Sequence, residues 1–344
     1  MKIAILTVYN SMNFGSFLQA YALSHYLKSL NHEVYFPCWN KEDNSAWNII
    51  KPIIFSRDIG MRGVIAGLHR VKAFRGIIEQ NLVETKIDDF EEYDLVIIGS
   101  DTLWDIAREK FRNPVLYGDI KSAKKIIAYA VSCSNSKEED FEKYMCLAKN
   151  IREIHAISVR DEHTFEVIRN VLEIETSVVC DPTILVNQGT WKIGDVRIDI
   201  SNSILVYAYE LNKHMIEVIR NFAKNRNLKL VSLCMYHYWC DEHINCTPLE
   251  FPSYIKKSKY FVTNTFHGSV FSILTEASYI PIRNGYKLRG LLIDCFGRDI
   301  SLPVDVDYKS FCNYVDVGVD FSVARNNIIQ MREKSRAWLE EFIG

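Results

Sequence analysis

The chain has 344 residues, of which 48% are hydrophobic and 24% charged, and its formal net charge is −2. This length exceeds one ordinary hydrophobic core and predicts two domains. The charge supplies no basic field, so we do not expect a nucleic-acid partner. No apolar run reaches the ~18 residues that span a bilayer, and the short run from Ile3 to Val8 favours a buried strand over a signal peptide. Nine scattered cysteines are typical of a reducing cytoplasm.

Short apolar runs alternate with segments of helical periodicity along the first half of the chain. Residues 2–8 are strand-like, and residues 16–30 follow with apolar side chains at helical spacing. This alternation predicts a parallel sheet with helices on both faces. The other strands predicted here are residues 33–36, 95–98, 125–131, 156–159 and 177–179, and the helices between them are residues 138–150 and 162–171.

The alternation stops at residues 187–203, which are polar and rich in turn formers, and then restarts. We therefore predict an α/β fold of two Rossmann-like domains facing a cleft. The predicted bounds are residues 1–190 on the acceptor side, 191–320 on the donor side, and a helix at 321–344 that packs across both. The strands predicted in the second domain are residues 204–208, 229–234, 260–262 and 279–282, and the helices are residues 212–225, 252–257 and 267–275.

Two strand ends in the first domain carry polar side chains where parallel sheets bind ligands. Asn13 and Gly15 precede the first helix, where glycine lets the backbone approach an anion; a tight turn is the alternative. Ser100, Asp101 and Trp104 follow the strand at residues 95–98. A carboxylate beside an indole suits a sugar, although Asp101 could instead cap a turn while Trp104 packs in the core.

Two further strand ends carry groups suited to acid–base and anion chemistry. Arg160 offers a guanidinium fork to a phosphate or carboxylate; an ion pair with Asp161, Glu162 or Asp181 is the alternative. His267 begins a helix, where an imidazole is well placed for general acid catalysis. We expect the amides of Gly268 and Ser269 to face an anion there.

Read together, these segments resemble the polysaccharide pyruvyl transferase family from residue 1 to about residue 300. The combination of G-S-D-x-x-W with F-H-G-x-V-F-S is the specific part of the resemblance. Two positions depart from the usual pattern, because Thr265 stands where relatives often carry Ser or Arg, and Thr102 replaces a common Gln. The matching segments are N-F-G-S-F-L-Q-A-Y-A-L, D-L-V-I-I-G-S-D-T-L-W, I-S-V-R-D, C-D-P-T-I-L and T-N-T-F-H-G-S-V-F-S-I-L.

The resemblance implies a GT-B-like fold, phosphoenolpyruvate as donor, and a hexose of a polysaccharide or cell-wall precursor as acceptor. The implied product is a cyclic pyruvate ketal, formed without a cofactor or a metal. His267 matches the family's acid/base and Arg160 the donor-binding arginine, while Lys287 and Arg289 fall where the family often carries basic residues near the donor. Asp101 would orient or deprotonate an acceptor hydroxyl. A lipid-linked acceptor would place this cytoplasmic protein at the inner face of the membrane.

Two other functions compete with pyruvyl transfer. A GT-B glycosyltransferase would need an acidic residue to bind ribose, and Glu276 is the nearest candidate; a non-catalytic sugar-binding paralogue is the second alternative. The basic segment at residues 57–75 is a candidate for contact with anionic lipid, with a solvated helix face as the simpler interpretation. We predict no metal at the cysteines and histidines of residues 234–246, because their spacing is unlike that of common zinc modules. The oligomeric state is left open.

Overall fold

The computed structural model describes residues 1–11, 13–39, 60–85 and 90–344. These residues form two compact α/β units. The first unit contains the described residues of Met1–Glu42, Ile78–Val186 and Ile329–Gly344. The second contains those of Asp43–Ile77 and Asn187–Ile328.

The first unit is built on a parallel sheet with the strand order β3-β2-β1-β4-β5-β6-β7. Two of its inner strands, Leu95–Asp101 and Ile126–Val131, are buried along their whole length, because helices cover both faces of such a sheet. The apolar runs of the sequence are therefore continuous instead of alternating. The strands are β1 (Lys2–Leu6), β2 (Glu33–Pro37), β3 (Glu84–Thr85), β4 (Leu95–Asp101), β5 (Ile126–Val131), β6 (Ala156–Val159) and β7 (Ser177–Val178).

Several helices connect the strands of this sheet. Helix α2 begins in the second unit and ends in the first, so residues 60–77 belong to the second unit, whereas the sequence placed them in the first. Periodicity identifies a helix but not the sheet against which it packs. The helices are α1 (Phe14–Ser29), α2 (Gly60–Asn81), α3 (Glu138–Lys143), α4 (Met145–Ala148), α5 (Glu162–Leu172) and α6 (Pro182–Leu185).

The second unit is built on a separate parallel sheet with the order β10-β9-β8-β11-β12. The strands are β8 (Ser203–Tyr207), β9 (Lys229–Leu233), β10 (Glu242–Ile244), β11 (Tyr260–Thr263) and β12 (Tyr279–Pro281). The helices are α7 (Lys213–Asn225), α8 (Phe251–Lys257), α9 (Phe266–Thr275), α10 (Gly285–Phe296), α11 (Tyr308–Val317) and α12 (Ser322–Ile343). Helix α12 contributes its residues through Ile328 to this unit and the rest to the first.

Helix α2 contains residues 60–75 of the segment 57–75, for which the sequence suggested contact with lipid. Residues 57–59 lie outside the described part of the chain. Within the helix, Val71 and Phe74 are buried, whereas Ile65 and Leu68 are each almost half exposed. The apolar side chains of this segment are therefore divided between the core and the surface. Among the described residues, no helix combines the length and the apolar composition needed to cross a bilayer.

Gly99, near the carboxyl end of β4, lies close to the backbone of β5, and this leads to a first prediction. Its φ is +124°, and a Cβ at this position would lie 2.1 Å from the carbonyl oxygen of Tyr129 on β5. Gly99→Ala should therefore lower the free energy of unfolding by at least about 1–3 kcal/mol, because a backbone atom cannot move aside cheaply. Urea denaturation measures the change.

The control for this measurement is Gly76→Ala. Gly76 lies inside α2, and a Cβ added there would meet no neighbouring group of the described residues within 4 Å. Alanine should therefore be neutral or slightly stabilising at this position. Equal stability of the two variants would contradict a steric requirement at Gly99.

Candidate functional site

Asp101 is the last residue of β4. It lies at the carboxyl edge of the first sheet, by which we mean the side where the parallel strands end. It is 8% exposed and adopts a φ of +86°. Ser16 Oγ, in the first turn of α1, donates to its Oδ2 at 2.6 Å, and the amide of Thr102 donates to Oδ1 at 2.8 Å. The start of α1 therefore holds the carboxylate in place, and each oxygen retains a second lone pair for a ligand hydroxyl.

A buried hydrogen-bond network joins the ends of β1 and β4 to α1. Thr7 Oγ1 donates to the carbonyl oxygen of Ser100 at 2.8 Å, and Gln19 Nε2 donates to Thr7 Oγ1 at 2.8 Å. Ser100 itself is fully buried, and its hydroxyl donates to the carbonyl oxygen of Ala130 at 3.0 Å. Ser100 therefore supports the backbone around Asp101, and its hydroxyl is not available to a substrate as the sequence suggested.

Trp104 and Asn13 also have structural roles. Trp104 is 0% exposed and belongs to the core of the first unit, where its Nε1 donates to the carbonyl oxygen of Leu116 at 2.8 Å. A ring with no exposed face cannot stack on a sugar, so that expectation is wrong. Asn13 caps α1, since its Oδ1 accepts from the amide of Gly15 at 2.9 Å. This is the tight turn that the sequence left as the alternative.

The segment after β5 is part of the same sheet edge, and the sequence interpretation missed it. The amide of Ser132 donates to the carbonyl oxygen of Asp101 at 2.9 Å, and the amide of Trp104 donates to that of Ser132 at 3.2 Å. Ser134, two residues on, has a φ of +61°. The run S-C-S-N-S directly follows an apolar strand, so the strand-end criterion used elsewhere would have found it.

Arg160 forms a buried ion pair at the end of β6. Its Nη1 lies 2.7 Å from Oδ2 of Asp181, and both side chains are almost fully enclosed. The other oxygen of Asp181 accepts from the hydroxyl of Thr183 at 2.6 Å. Burial alone would lower the pKa of Arg160, but Asp181, Asp101 and Asp161 together raise it. Its positive charge therefore serves the protein's own carboxylates, which is the alternative that the sequence had left open.

In the second unit, Thr265 caps the start of α9. Its Oγ1 accepts from the amide of Gly268 at 3.0 Å, and its carbonyl oxygen accepts from the amide of Ser269 at 3.1 Å. The expectation that these two amides face a bound anion is therefore wrong, because the N-cap already occupies both. Ser269 directs its hydroxyl to the same carbonyl oxygen.

His267 is the second residue of α9 and is half-buried. Its ring meets that of Phe266 edge-on, with the ring centroids 5.1 Å apart. Just before it, Asn264 links neighbouring strand ends: its Oδ1 accepts from the amide of Tyr209 at 2.7 Å, and its carbonyl oxygen accepts from Asn284 Nδ2 at 3.0 Å. The segments after β8, β11 and β12 are thus bonded together beside His267.

Lys287 and Arg289 lie near the start of α10, which follows β12 at this same edge. Lys287 is half-buried and Arg289 is exposed. The predicted residues thus fall into two groups. Asp101 and Arg160 lie at the carboxyl edge of the first sheet, and His267, Lys287 and Arg289 lie at that of the second.

Glu276, considered as a ribose-binding residue, lies at the other end of α9 from His267. A helix of this length separates the two positions by roughly 15 Å. Arg325 binds the carboxylate of Glu276, with its Nη2 2.7 Å from Oε2, and this hydrogen bond lowers the pKa of Glu276. Glu276 therefore completes a surface ion pair away from the strand ends.

The cysteines and histidines of residues 234–246 are engaged with one another and with neighbouring groups. His243 pairs with Ser232 Oγ at 2.9 Å through Nδ1 and with Asn245 Oδ1 at 3.2 Å through Nε2. Burial lowers the pKa of His237 to about 4. Within the part of the chain that the structure describes, no three potential metal ligands come together.

The close packing of Gly268 generates a second prediction. A Cβ on Gly268 would lie 2.5 Å from the hydroxyl oxygens of both Thr263 and Thr265. Gly268→Ala should displace the cap and lower the free energy of unfolding by about 1–3 kcal/mol, measurable by urea denaturation. Gly290→Ala in α10 is the matched control and should not destabilise, because a Cβ there would meet no neighbouring group of the described chain within 4 Å. A Gly268→Ala variant as stable as this control would show that the turn adapts.

Comparisons with known proteins identify the family of this chain. The family model of polysaccharide pyruvyl transferase matches residues 13–286. A search of curated proteins found no significant match.

Solved structures share the fold at low sequence identity. A putative UDP-N-acetylglucosamine 2-epimerase from Listeria monocytogenes is 11% identical with a TM-score of 0.56, over 99% of this chain and 97% of that one. The UDP-GlcNAc 2-epimerase from Neisseria meningitidis bound to UDP-GlcNAc is 10% identical with a TM-score of 0.53, over 100% of both chains. These likenesses confirm the predicted α/β fold with two Rossmann-like, GT-B-like units. The family match confirms the motif resemblance as well, and the chain belongs to the polysaccharide pyruvyl transferase family.

Proposed function

We propose that this protein transfers the enolpyruvyl group of phosphoenolpyruvate to a hexose of a polysaccharide or cell-wall glycan precursor and closes a cyclic pyruvate ketal. The observation that carries the proposal is the placement of His267. It opens α9 at a strand end, in the F-H-G motif of the family, and the bonds of Asn264 fix the backbone beside it.

The reaction needs one proton at a defined carbon. Protonation of the methylene of phosphoenolpyruvate makes the adjacent carbon electrophilic, one sugar hydroxyl attacks it, and phosphate leaves. A second hydroxyl then closes the ketal. We assign the proton donor to His267, because an imidazole nitrogen can donate and accept a proton and this residue lies at the start of α9 in the F-H-G motif.

The donor carries a carboxylate and a phosphate, so its site must supply positive charge. Arg160 is already paired with Asp181, and the amides of Gly268 and Ser269 belong to the helix cap. We therefore assign donor binding to Lys287 and Arg289, on the same sheet edge as His267. In this proposal the second unit is the donor side.

We assign the acceptor to the first unit, where Asp101 lies. Its carboxylate is held by Ser16 and keeps lone pairs for a sugar hydroxyl. Arg160 acts through this carboxylate and Asp181, and it is a positioning residue in the proposal. Asp101 would orient the attacking hydroxyl and accept its proton as the carbon–oxygen bond forms.

Ligand-induced stabilisation separates this proposal from nucleotide-sugar transfer. Phosphoenolpyruvate at saturating concentration should raise Tm by several degrees, because a ligand that binds only the folded state stabilises it. UDP-N-acetylglucosamine and an equal mixture of pyruvate and inorganic phosphate serve as comparisons, and neither should match the shift. Stabilisation by the nucleotide sugar alone would favour the glycosyltransferase, and stabilisation by none would favour a paralogue that has lost the donor site.

The role of His267 can be tested on the same protein. His267→Asn should lower kcat by ~10²–10⁴, the usual cost of losing a catalytic proton donor, while Tm stays close to wild type. Release of phosphate from phosphoenolpyruvate, with a panel of lipid-linked and soluble hexose acceptors, measures turnover. His214→Asn in the same unit, which removes a ring bonded to the carbonyl oxygen of Val306, is the control and should keep full activity. Near-normal turnover of His267→Asn would remove this histidine from the mechanism.

A further inference from the structure

Two cysteines lie side by side at the carboxyl ends of β9 and β10. Cys234 directly follows β9, and Cys246 comes two residues after β10. The strands are parallel, with Leu233 opposite Ile244, so the register brings the two chain segments together. The Sγ atoms of the two cysteines are 3.5 Å apart.

The backbone holds the two sulfurs in this arrangement. The amide of Cys234 donates to the carbonyl oxygen of Ile244 at 2.8 Å. The amide of Cys246 donates to Sγ of Cys234 at 3.4 Å, an interaction that is stronger when the acceptor is a thiolate. Both side chains are nearly enclosed, at 4% and 5% exposure. Sγ of Cys234 also donates to the carbonyl oxygen of Cys246 at 3.8 Å. These contacts hold the two sulfurs together as a pair.

We propose that Cys234 and Cys246 are a covalent modification site that forms a reversible disulfide. The sulfurs need to approach by roughly 1.5 Å to reach the ~2.05 Å of an S–S bond. The oxidant is a low-molecular-weight disulfide. The thiolate of one cysteine of the pair attacks one of its sulfurs, the S–S bond of the oxidant breaks, and the first thiol leaves with the proton of that cysteine. The second cysteine then attacks the mixed disulfide, its proton leaves with the second thiol, and the two electrons end on the reduced oxidant.

This bond would join the two ends of the segment from Cys234 to Cys246, a loop followed by β10, which lines a cavity of about 630 Å³ within the second unit. Tyr236, Tyr238, His243 and Asn245 are among the lining residues, and Tyr238 is 70% exposed. In the thiol form, hydrogen bonds hold the ends of this loop together. In the disulfide form its ends are fixed covalently, which restricts the motion of the cavity wall.

Cys240 lies in the same loop and lines the same cavity, so it is the matched control. The sulfurs that lie 3.5 Å apart are those of Cys234 and Cys246. Cys240 should therefore take no part in the exchange.

The test equilibrates the full chain with mixtures of reduced and oxidised glutathione and reads mass and alkylatable thiols. We expect a form about 2 Da lighter, with two fewer reactive thiols than the nine of the reduced chain and a disulfide peptide joining Cys234 to Cys246. Dithiothreitol should reverse it. Cys234→Ser and Cys246→Ser should each abolish the lighter form, and Cys240→Ser should retain it. Chymotrypsin cleavage after Tyr238 should slow severalfold in the oxidised protein.

Retention of all nine thiols under oxidising mixtures would overturn the proposal, and so would a disulfide that maps to Cys240. A cleavage rate unaffected by oxidation would overturn the effect on the loop. Because Cys→Ser variants can be destabilised, Cys234→Ala is measured beside Cys234→Ser, and the wild-type peptide map is decisive on its own. None of these results depends on pyruvyl transfer.

Discussion

The buried ion pair between Arg160 and Asp181 is the constraint around which the edge of the first sheet is organised. One guanidinium lies among the carboxylates of Asp181, Asp101 and Asp161, and its raised pKa reports their combined attraction. Loss of one partner of such a pair typically costs about 3–5 kcal/mol, because the other charge stays buried. The negative charge of Asp101 on the proposed acceptor side is therefore balanced in part by a residue that need not touch the substrate.

The need to pair buried polar groups also explains why conspicuous residues at these strand ends have structural roles. Parallel strands bring their carboxyl ends to one edge, so many amides and carbonyls there must find partners. Ser100, Asn13 and Gly268 meet this need through bonds that involve backbone groups. The residues that our proposal leaves for chemistry are Asp101, which is 8% exposed, and His267, which is half-buried.

Sequence periodicity predicted most strands of both sheets but missed the short strands β3 and β10. The motif combination predicted the family, because strand runs and strand-end residues depend on local order along the chain. Burial and pairing depend on distant segments and could not be read in this way. The sequence suggested that Trp104 stacks on a sugar, whereas in the fold its indole N–H donates to the carbonyl oxygen of Leu116. Arg160 offered three acidic partners, and only the fold selects Asp181. Cys234 and Cys246 lie in a segment whose spacing did not match a zinc module, and the register of β9 and β10 brings them together as a pair.

Thr265 gives a physical account of the chain's departure from the usual family pattern. An arginine at this N-cap position would add a cation beside the proposed donor site, but it could not accept the amide of Gly268 as the threonine hydroxyl does. Threonine therefore stabilises the start of α9 and, in our proposal, leaves the two negative charges of phosphoenolpyruvate to other groups. Lys287 and Arg289 lie at the same sheet edge and carry the positive charge that Thr265 lacks. In our proposal these two basic residues bind the donor without an added cation at the start of α9, while His267 keeps its place.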